Sequence, residues 1–334
     1  MVRAAEIRAA EIGALAGLVC ASAAAAALAP LWTYALTLAL FGLPHVLSEL
    51  RYIDARFGAR LVGRFGTQVA VLLAAIVLLR CAAWAQLGSA DLRCALELVL
   101  GAGLVLTLAP MLRGSSPLVR TSVAAVALIG IAAASLAPLE ALVWFALLHN
   151  LTPIGFFAER LRGAPRRLAL WTCALVFGLV PLWIAGGGVG ALLGALGATA
   201  TDSGPAALGG LRANLGALVP PNLVLTEAAP GLFAAVAYLQ CMHYVAVLWV
   251  LPRLGAGDAQ AGPSRPWGAR PLTYGPLQLA WCAALALPLA FAVDFGATRL
   301  VYGAFAAVHA WVEVPVLLSV CAAAAQVVPT RTTP

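Results

Sequence analysis

Four histidines, each in the middle of a separate apolar segment, are the residues of this sequence best suited to chemistry. They are His45, His149, His243 and His309, and the sequence contains no others. An ionisable side chain inside such a segment is costly to bury, and it therefore usually marks a functional site. Glu49 follows His45 by four residues, and Glu313 follows His309 by the same spacing. This spacing places each histidine and its glutamate on one face of a helix.

Imidazole and carboxylate groups in apolar surroundings indicate a transition-metal site. A divalent metal offsets the cost of burying them, because it binds neutral imidazole and carboxylate together. We predict that the four histidines bind a metal. Glu49 and Glu313 are expected to be ligands or catalytic groups, or to accept an imidazole N–H and so fix its tautomer. Iron is the favoured metal, with zinc, manganese and copper as alternatives. For a single histidine, a structural hydrogen bond between helices is an equally good explanation.

The composition indicates that membrane-spanning helices position these residues. Of the 334 residues, 63% are hydrophobic and only 10% are charged, and the mean hydropathy is +0.97. A soluble domain is about one-quarter charged. Apolar runs of about twenty residues, the length of a membrane-spanning helix, recur along the whole chain. We therefore predict an all-α fold, a polytopic helix bundle that forms a single integral membrane domain over residues 1–334.

The apolar runs predict ten transmembrane helices. They cover roughly residues 13–29, 32–52, 67–87, 92–112, 118–137, 139–158, 167–186, 229–251, 273–293 and 299–325. The net charge of +7 comes from arginines concentrated in alternate loops, as the positive-inside rule describes. This alternation predicts cytoplasmic termini, a long outer loop at 186–228, a cytoplasmic loop at 253–272 and a bacterial-type cytoplasmic membrane. Because the membrane explains the basic charge, no nucleic-acid partner is expected.

The predicted topology brings the four histidines to one level in the membrane. Their helices all run from the outside to the cytoplasm, and each histidine lies about ten to fourteen residues from the outer end, or about 15–21 Å. Four parallel helices with an imidazole at one depth can direct these groups to a common point. Pro44, Pro153 and Pro315 lie near the candidate ligands and can open bends that shape a cavity.

Other polar and aromatic residues within the predicted helices have more ordinary interpretations. Arg80 and Glu97 lie on adjacent antiparallel helices and are predicted to form a buried salt bridge. Trp311 lies near the depth of the histidines, where a position in a cavity wall and a lipid-facing position are equally compatible with the sequence. Tyr244 is adjacent to His243 but points about 100° away from it.

One segment resembles a motif of a known family. The sequence GLPHVLSELRYID, residues 42–54, resembles the first histidine motif of the bacterial and archaeal Brp/Blh β-carotene 15,15′-dioxygenases. Members of that family are intramembrane proteins whose few histidines bind a single iron. The resemblance implies a non-haem iron centre that oxidises a long apolar substrate within the bilayer. It extends to His45 only, because Val46 replaces a typical glycine and no two histidines lie four residues apart.

Three functions would use these features directly, and a purely structural membrane subunit is a fourth alternative. The first is a metal-dependent oxidoreductase or oxygenase that takes a lipophilic substrate from the bilayer. The sequence does not predict whether this enzyme needs an electron donor or forms a homo-oligomer. The second is a haem-binding membrane redox protein, in which the histidines form axial pairs. The third is a proton- or metal-coupled transporter, since intramembrane histidine and glutamate suit ion relays. Membrane lipids are the expected surroundings in all three.

Overall fold

A computed structural model describes residues 9–58, 61–255 and 286–326 of the chain. The described residues contain helices and no β-strand. Eight helical segments are long and apolar enough to cross a membrane, namely Pro30–Phe57, Gly63–Trp84, Ala90–Leu112, Pro117–Leu136, Pro138–Arg160, Gly163–Ala185, Ala229–Leu254 and Phe295–Val320. The shorter segment Ile12–Leu28 is also apolar. This all-helical architecture agrees with the predicted class, a helical membrane bundle.

The α-helices are numbered in chain order. They are α1 Ala9–Leu28, α2 Pro30–Phe57, α3 Gly63–Trp84, α4 Ala90–Leu106, α5 Pro117–Leu136, α6 Pro138–His149, α7 Thr152–Arg160, α8 Gly163–Cys173, α9 Val180–Ala185, α10 Gly188–Ala195, α11 Leu211–Asn214, α12 Ala229–Val245, α13 Leu251–Gly255 and α14 Phe295–Gln326. Most of the predicted helix 273–293 lies outside the described residues, and its described part, 286–293, is helical. The predicted cytoplasmic loop 253–272 lies mostly outside them as well.

The chain packs as two compact units. Among the described residues, unit 1 contains 9–48, 146–255 and 286–295, and unit 2 contains 49–58, 61–145 and 296–326. The boundary falls inside α2, α6 and α14, so each of these helices contributes residues to both units.

Unit 1 is organised around α12, which is buried along most of its length and packs against α1 and α9. Gly231 permits the close approach to α9, because a Cβ at this position would lie 2.5 Å from the carbonyl oxygen of Ala185. Two polar contacts join α12 to its neighbours within the apolar interior. The Gln240 Nε2 donates to Thr37 Oγ1 at 3.0 Å, and Ser22 Oγ lies 3.3 Å from the Cys241 sulfur. Such polar contacts fix the register of apolar helices.

Unit 2 is organised around α4, which packs against α3 and α5. Its apolar core consists of six buried residues, Ala102, Val105, Leu108, Leu112, Val123 and Ala127. Val314 and Leu318 of α14 pack against this core. The helix that carries His309 and Glu313 is therefore attached to α4 by apolar contacts.

Four of the long apolar segments are not continuous α-helices, and one of them, Ala90–Leu112, ends in a 3-10 turn at Ala109–Leu112. The segment Pro138–Arg160 breaks between α6, which ends at His149, and α7, which begins at Thr152. Pro153 in the first turn of α7 explains the break, as the sequence predicts. Wider π-helical turns occupy Ala174–Leu179 and Ala246–Val250, the second beginning three residues after His243. Irregularities of this kind are common at functional sites. Pro44 and Pro315, by contrast, lie within continuous helices.

The segment between α9 and α12 is built from short helices. The first of them is α10, Gly188–Ala195. The backbone N–H of Thr201 donates to Leu28 O at 2.7 Å and ties this segment to the end of α1. The Asn214 amide donates to Leu208 O and Gly210 O, at 2.7 and 3.0 Å.

Candidate metal centre

His45 lies on α2 with its ring held in one orientation. It is 2% exposed, and its Nδ1 lies 3.2 Å from the carbonyl oxygen of Phe41, one turn earlier. Because a carbonyl oxygen only accepts hydrogen bonds, Nδ1 must carry the proton. The lone pair of the neutral ring is then on Nε2, which is the nitrogen that could bind a metal. A histidine ligand is commonly fixed in this way by a hydrogen bond from its second nitrogen.

The phenol ring of Tyr244 stacks on His45. The two ring centroids lie 4.1 Å apart with an interplanar angle of 28°. Tyr244 belongs to α12, and its backbone neighbour is His243. The sequence indicated only that Tyr244 points away from His243, and it gave no signal for the partner on α2. The stack restricts the tilt of His45 while the Phe41 carbonyl restricts its rotation.

Three histidines form a group within unit 1, in which the His243 ring lies close to each of the other two. The ring centroid of His243 lies 5.3 Å from that of His45 and 4.8 Å from that of His149. The corresponding interplanar angles are 84° and 50°, so the imidazoles are not stacked on one another. Inclined rings at these distances can direct their nitrogen lone pairs to one point. The helix break after His149 places that residue at the end of α6.

His309 and Glu49 form a pair within unit 2. The Nε2 of His309 lies 3.9 Å from Glu49 Oε2, and the two side chains are 2% and 0% exposed. This separation is too long for a direct hydrogen bond. Two ligands of one metal at bond lengths of about 2.1 Å lie about 3.0–4.2 Å apart, depending on the bond angle. The separation therefore fits two ligands of one ion.

Five residues offer ligand atoms that lie close together. The ligand atoms of His45, Glu49, His149, His243 and His309 all lie within 4.8 Å of one another, and four of these residues are buried. The largest separation exceeds by about 0.6 Å what one metal with bonds of about 2.1 Å allows, so metal binding would require small side-chain rotations. These five residues could bind a transition metal.

Glu313, the sixth predicted site residue, is not among these five. It is fully buried on α14, one helical turn beyond His309 and on the same face of the helix. Its predicted role as a ligand or catalytic group remains a prediction.

The donor set fits a divalent transition metal better than it fits other groups. Four neutral imidazoles and one carboxylate give a divalent complex a charge of about +1, which an apolar interior tolerates far better than separate ions. The five residues include no thiolate, the ligand that iron–sulfur clusters require. Five donors also exceed the four of a structural zinc site.

Comparison of the chain with protein-family models, with curated proteins and with solved structures finds no match. The function must therefore be argued from the site itself.

Proposed function

We propose that this protein is an intramembrane oxidoreductase, with a non-haem iron held by His45, His149, His243, His309 and Glu49. The observation that carries the proposal is the set of five ligand atoms within 4.8 Å of one another. Iron commonly takes six ligands, so five protein ligands would leave a position for dioxygen or substrate. When bound, the iron would supply one-electron and dioxygen chemistry. Zinc, manganese and copper remain alternatives to iron.

The protein residues would orient the metal and exclude water. The Phe41 carbonyl and the Tyr244 ring hold His45, whose Nε2 would bind the metal. We assign Glu313 as the buried carboxyl group that accepts or donates a proton during the reaction, because it lies one turn beyond His309. The burial of the ligands keeps bulk water from competing with substrate.

The proposed substrate is lipophilic. The four histidines lie about 11 to 15 residues from the first residues of their helices, or about 17–23 Å along the helix axes. In a hydrocarbon layer about 30 Å thick this is the level of the membrane interior. A substrate that reaches this level from the bilayer must itself be soluble in lipid. The resemblance of residues 42–54 to Brp/Blh dioxygenases supports the same assignment.

The geometry favours a non-haem centre over a haem. In a bis-histidine haem, two nitrogens lie about 4 Å apart on opposite faces of a wide planar ring. In this protein, whichever two histidines are taken as the axial pair, three further ligand atoms of the cluster lie within 4.8 Å of their nitrogens. Those atoms would occupy space that the porphyrin requires.

A metal-coupled transporter is the second candidate, and the interrupted helix at His149 favours it. Transporters commonly bind ions where a membrane helix is broken near the middle of the bilayer. Uptake of radioactive Fe²⁺ into proteoliposomes distinguishes a transporter from the proposed enzyme. Uptake that depends on His149, without any oxidation of a lipophilic compound, would replace the enzyme proposal.

The enzyme proposal is tested with purified protein loaded with Fe²⁺ and supplied with ¹⁸O₂. β-Carotene and a total extract of apolar lipids serve as trial substrates. We expect ¹⁸O in a lipophilic product, and a rate at least about 100-fold lower for His243→Ala, which loses a ligand. The matched control is Gln240→Ala on the same helix, which loses only the contact to Thr37 and should retain activity. Oxidation at the same rate by His243→Ala would contradict the assignment of the site.

A further inference from the structure

Trp311 lies between His309 and Glu313 in the sequence but on the opposite side of α14. Each residue of an α-helix is rotated by about 100° from the previous one. Trp311 is two residues from both His309 and Glu313, so its side chain points about 160° away from each of theirs. The side chains of His309 and Glu313 point in directions only about 40° apart. Any contact that fixes Trp311 therefore also fixes the direction of the two candidate site residues.

The indole of Trp311 is held on three sides within unit 2. Its Nε1–H donates to Glu97 Oε1 at 2.9 Å. Its ring stacks on Phe145, with centroids 4.0 Å apart and an interplanar angle of 17°. The ring also lies directly against α4 at Gly101, where a Cβ would overlap it. Trp311 is only 5% exposed, which excludes the lipid-facing position that the sequence allowed.

Glu97 is itself held by Arg80, as the sequence predicts. The Nη2 of Arg80 donates to the same oxygen, Glu97 Oε1, at 2.6 Å. The Arg80 side chain is 38% exposed and that of Glu97 only 4%. A buried ion pair contributes little net stability, because desolvation offsets the attraction, and well-packed apolar residues often replace it without loss. A charged carboxylate is, however, a strong acceptor for the indole N–H.

We propose that Glu97 is a positioning residue that, held by Arg80, fixes the rotation of α14 through Trp311 and thereby directs His309 and Glu313. This inference rests on the proposed metal centre. A rotation of α14 by about 10° moves a group about 6 Å from the helix axis by about 1 Å. Metal–ligand distances tolerate only about 0.2 Å. A loosened Trp311 therefore changes metal binding before it changes the fold.

The test compares Trp311→Phe with the double variant Arg80→Leu/Glu97→Leu. The first keeps an aromatic ring and removes the N–H, and the second replaces the ion pair by apolar side chains. Each protein is titrated with Co²⁺, whose visible spectrum reports ligand geometry. We expect both to bind Co²⁺ about 10-fold more weakly with a shifted spectrum, at unchanged helical content, in line with losses measured for groups that orient metal ligands.

Two further variants separate positioning from general damage. Combining Trp311→Phe with the double variant should weaken binding no further, because all three residues act through one contact. Glu97→Gln should retain most of the affinity, since its amide oxygen still accepts from the indole. Trp144→Phe is the matched control, because Trp144 is 47% exposed and adjacent to Phe145. Unchanged affinity in both principal variants, or an equal loss in Trp144→Phe, would overturn the proposal.

A metal-independent measurement distinguishes failure of this inference from failure of the proposed function. Spin labels carried by bioorthogonal amino acids at positions 96 and 305 report the orientation of α14 against α4. Both positions are exposed, at 42% and 54%. We expect the distance distribution to shift or broaden in Trp311→Phe and not in Trp144→Phe. Wild-type protein without metal affinity would end the proposed function, while an unchanged distance in Trp311→Phe would end this inference.

Discussion

His45 and His309 both belong to the five-residue cluster, but different kinds of contact hold them. The ring of His45 is held directly, by the Phe41 carbonyl on its own helix and by the stacked ring of Tyr244. The Nε2 of His309 lies 3.9 Å from Glu49 Oε2, and further contacts act on its helix, through Trp311, Glu97 and Arg80 on the far side. The comparison teaches that a ligand can be oriented at its ring or through the rotation of its helix. The two cases respond differently to mutation.

The largest expected effect is that of removing a ligand from the histidine group. His243→Ala should weaken metal binding more than about 100-fold, because the His243 ring lies close to those of both His45 and His149 and alanine offers no ligand atom. Metal content after dialysis against a chelator measures the effect. Retention of the metal by His243→Ala would place the centre elsewhere.

The next largest effect is a difference in metal affinity between variants of the two glutamates, Glu49 and Glu313. Glu49→Gln should weaken metal binding about 10- to 100-fold, since the carboxylate close to His309 Nε2 is replaced by a neutral amide. Glu313→Gln should change the affinity less and the turnover more, because Glu313 is not among the five clustered ligands. Equal losses of affinity in both variants would make Glu313 a ligand.

Substitutions of two glycines of α4 test the contact between this helix and the Trp311 ring. Gly101→Ala should lower the free energy of unfolding by about 1–3 kcal/mol, since the new methyl group overlaps the indole ring. Gly103→Ala is the matched control. Its methyl group would lie 3.6 Å from the Leu72 side chain, an ordinary contact, so the change should be neutral or stabilising by up to about 1 kcal/mol. Thermal unfolding in detergent measures both, and equal destabilisation would show that Trp311 does not limit the space at α4.

The smallest expected effect is that of removing the Tyr244 ring from His45. Tyr244→Leu should weaken metal binding only about 3- to 10-fold, because the Phe41 carbonyl still fixes the tautomer and rotation of His45. Isothermal titration with Co²⁺ resolves a change of this size. A loss as large as that of His243→Ala would mean that the stack, and not the carbonyl, orients His45.

The sequence predicted the elements of this site better than it predicted their contacts. Apolar runs of membrane-spanning length located the helices, and the four histidines stood out because charged and polar groups are rare within them. The Arg80–Glu97 pair was predictable for the same reason, and the structure confirms it. The break after His149 follows from Pro153, a local effect of the proline ring.

The stack of Tyr244 on His45 and the hydrogen bond from Trp311 to Glu97 were not predictable. Each joins residues roughly 200 positions apart, and each depends on how one helix is rotated against another. Helices that are apolar on all sides carry little amphipathic signal to set that rotation. The sequence could therefore assign both aromatic residues to the right helix without assigning their partners.

The central claim is that the histidines of four helices and Glu49 bind one transition metal. X-ray absorption of the purified wild-type protein at the edge of its bound metal tests it most directly. We predict about four imidazole nitrogens and one carboxylate oxygen at distances of about 2.0–2.2 Å. Folded protein without a transition metal, or a metal with sulfur ligands or fewer than three imidazoles, would contradict the claim.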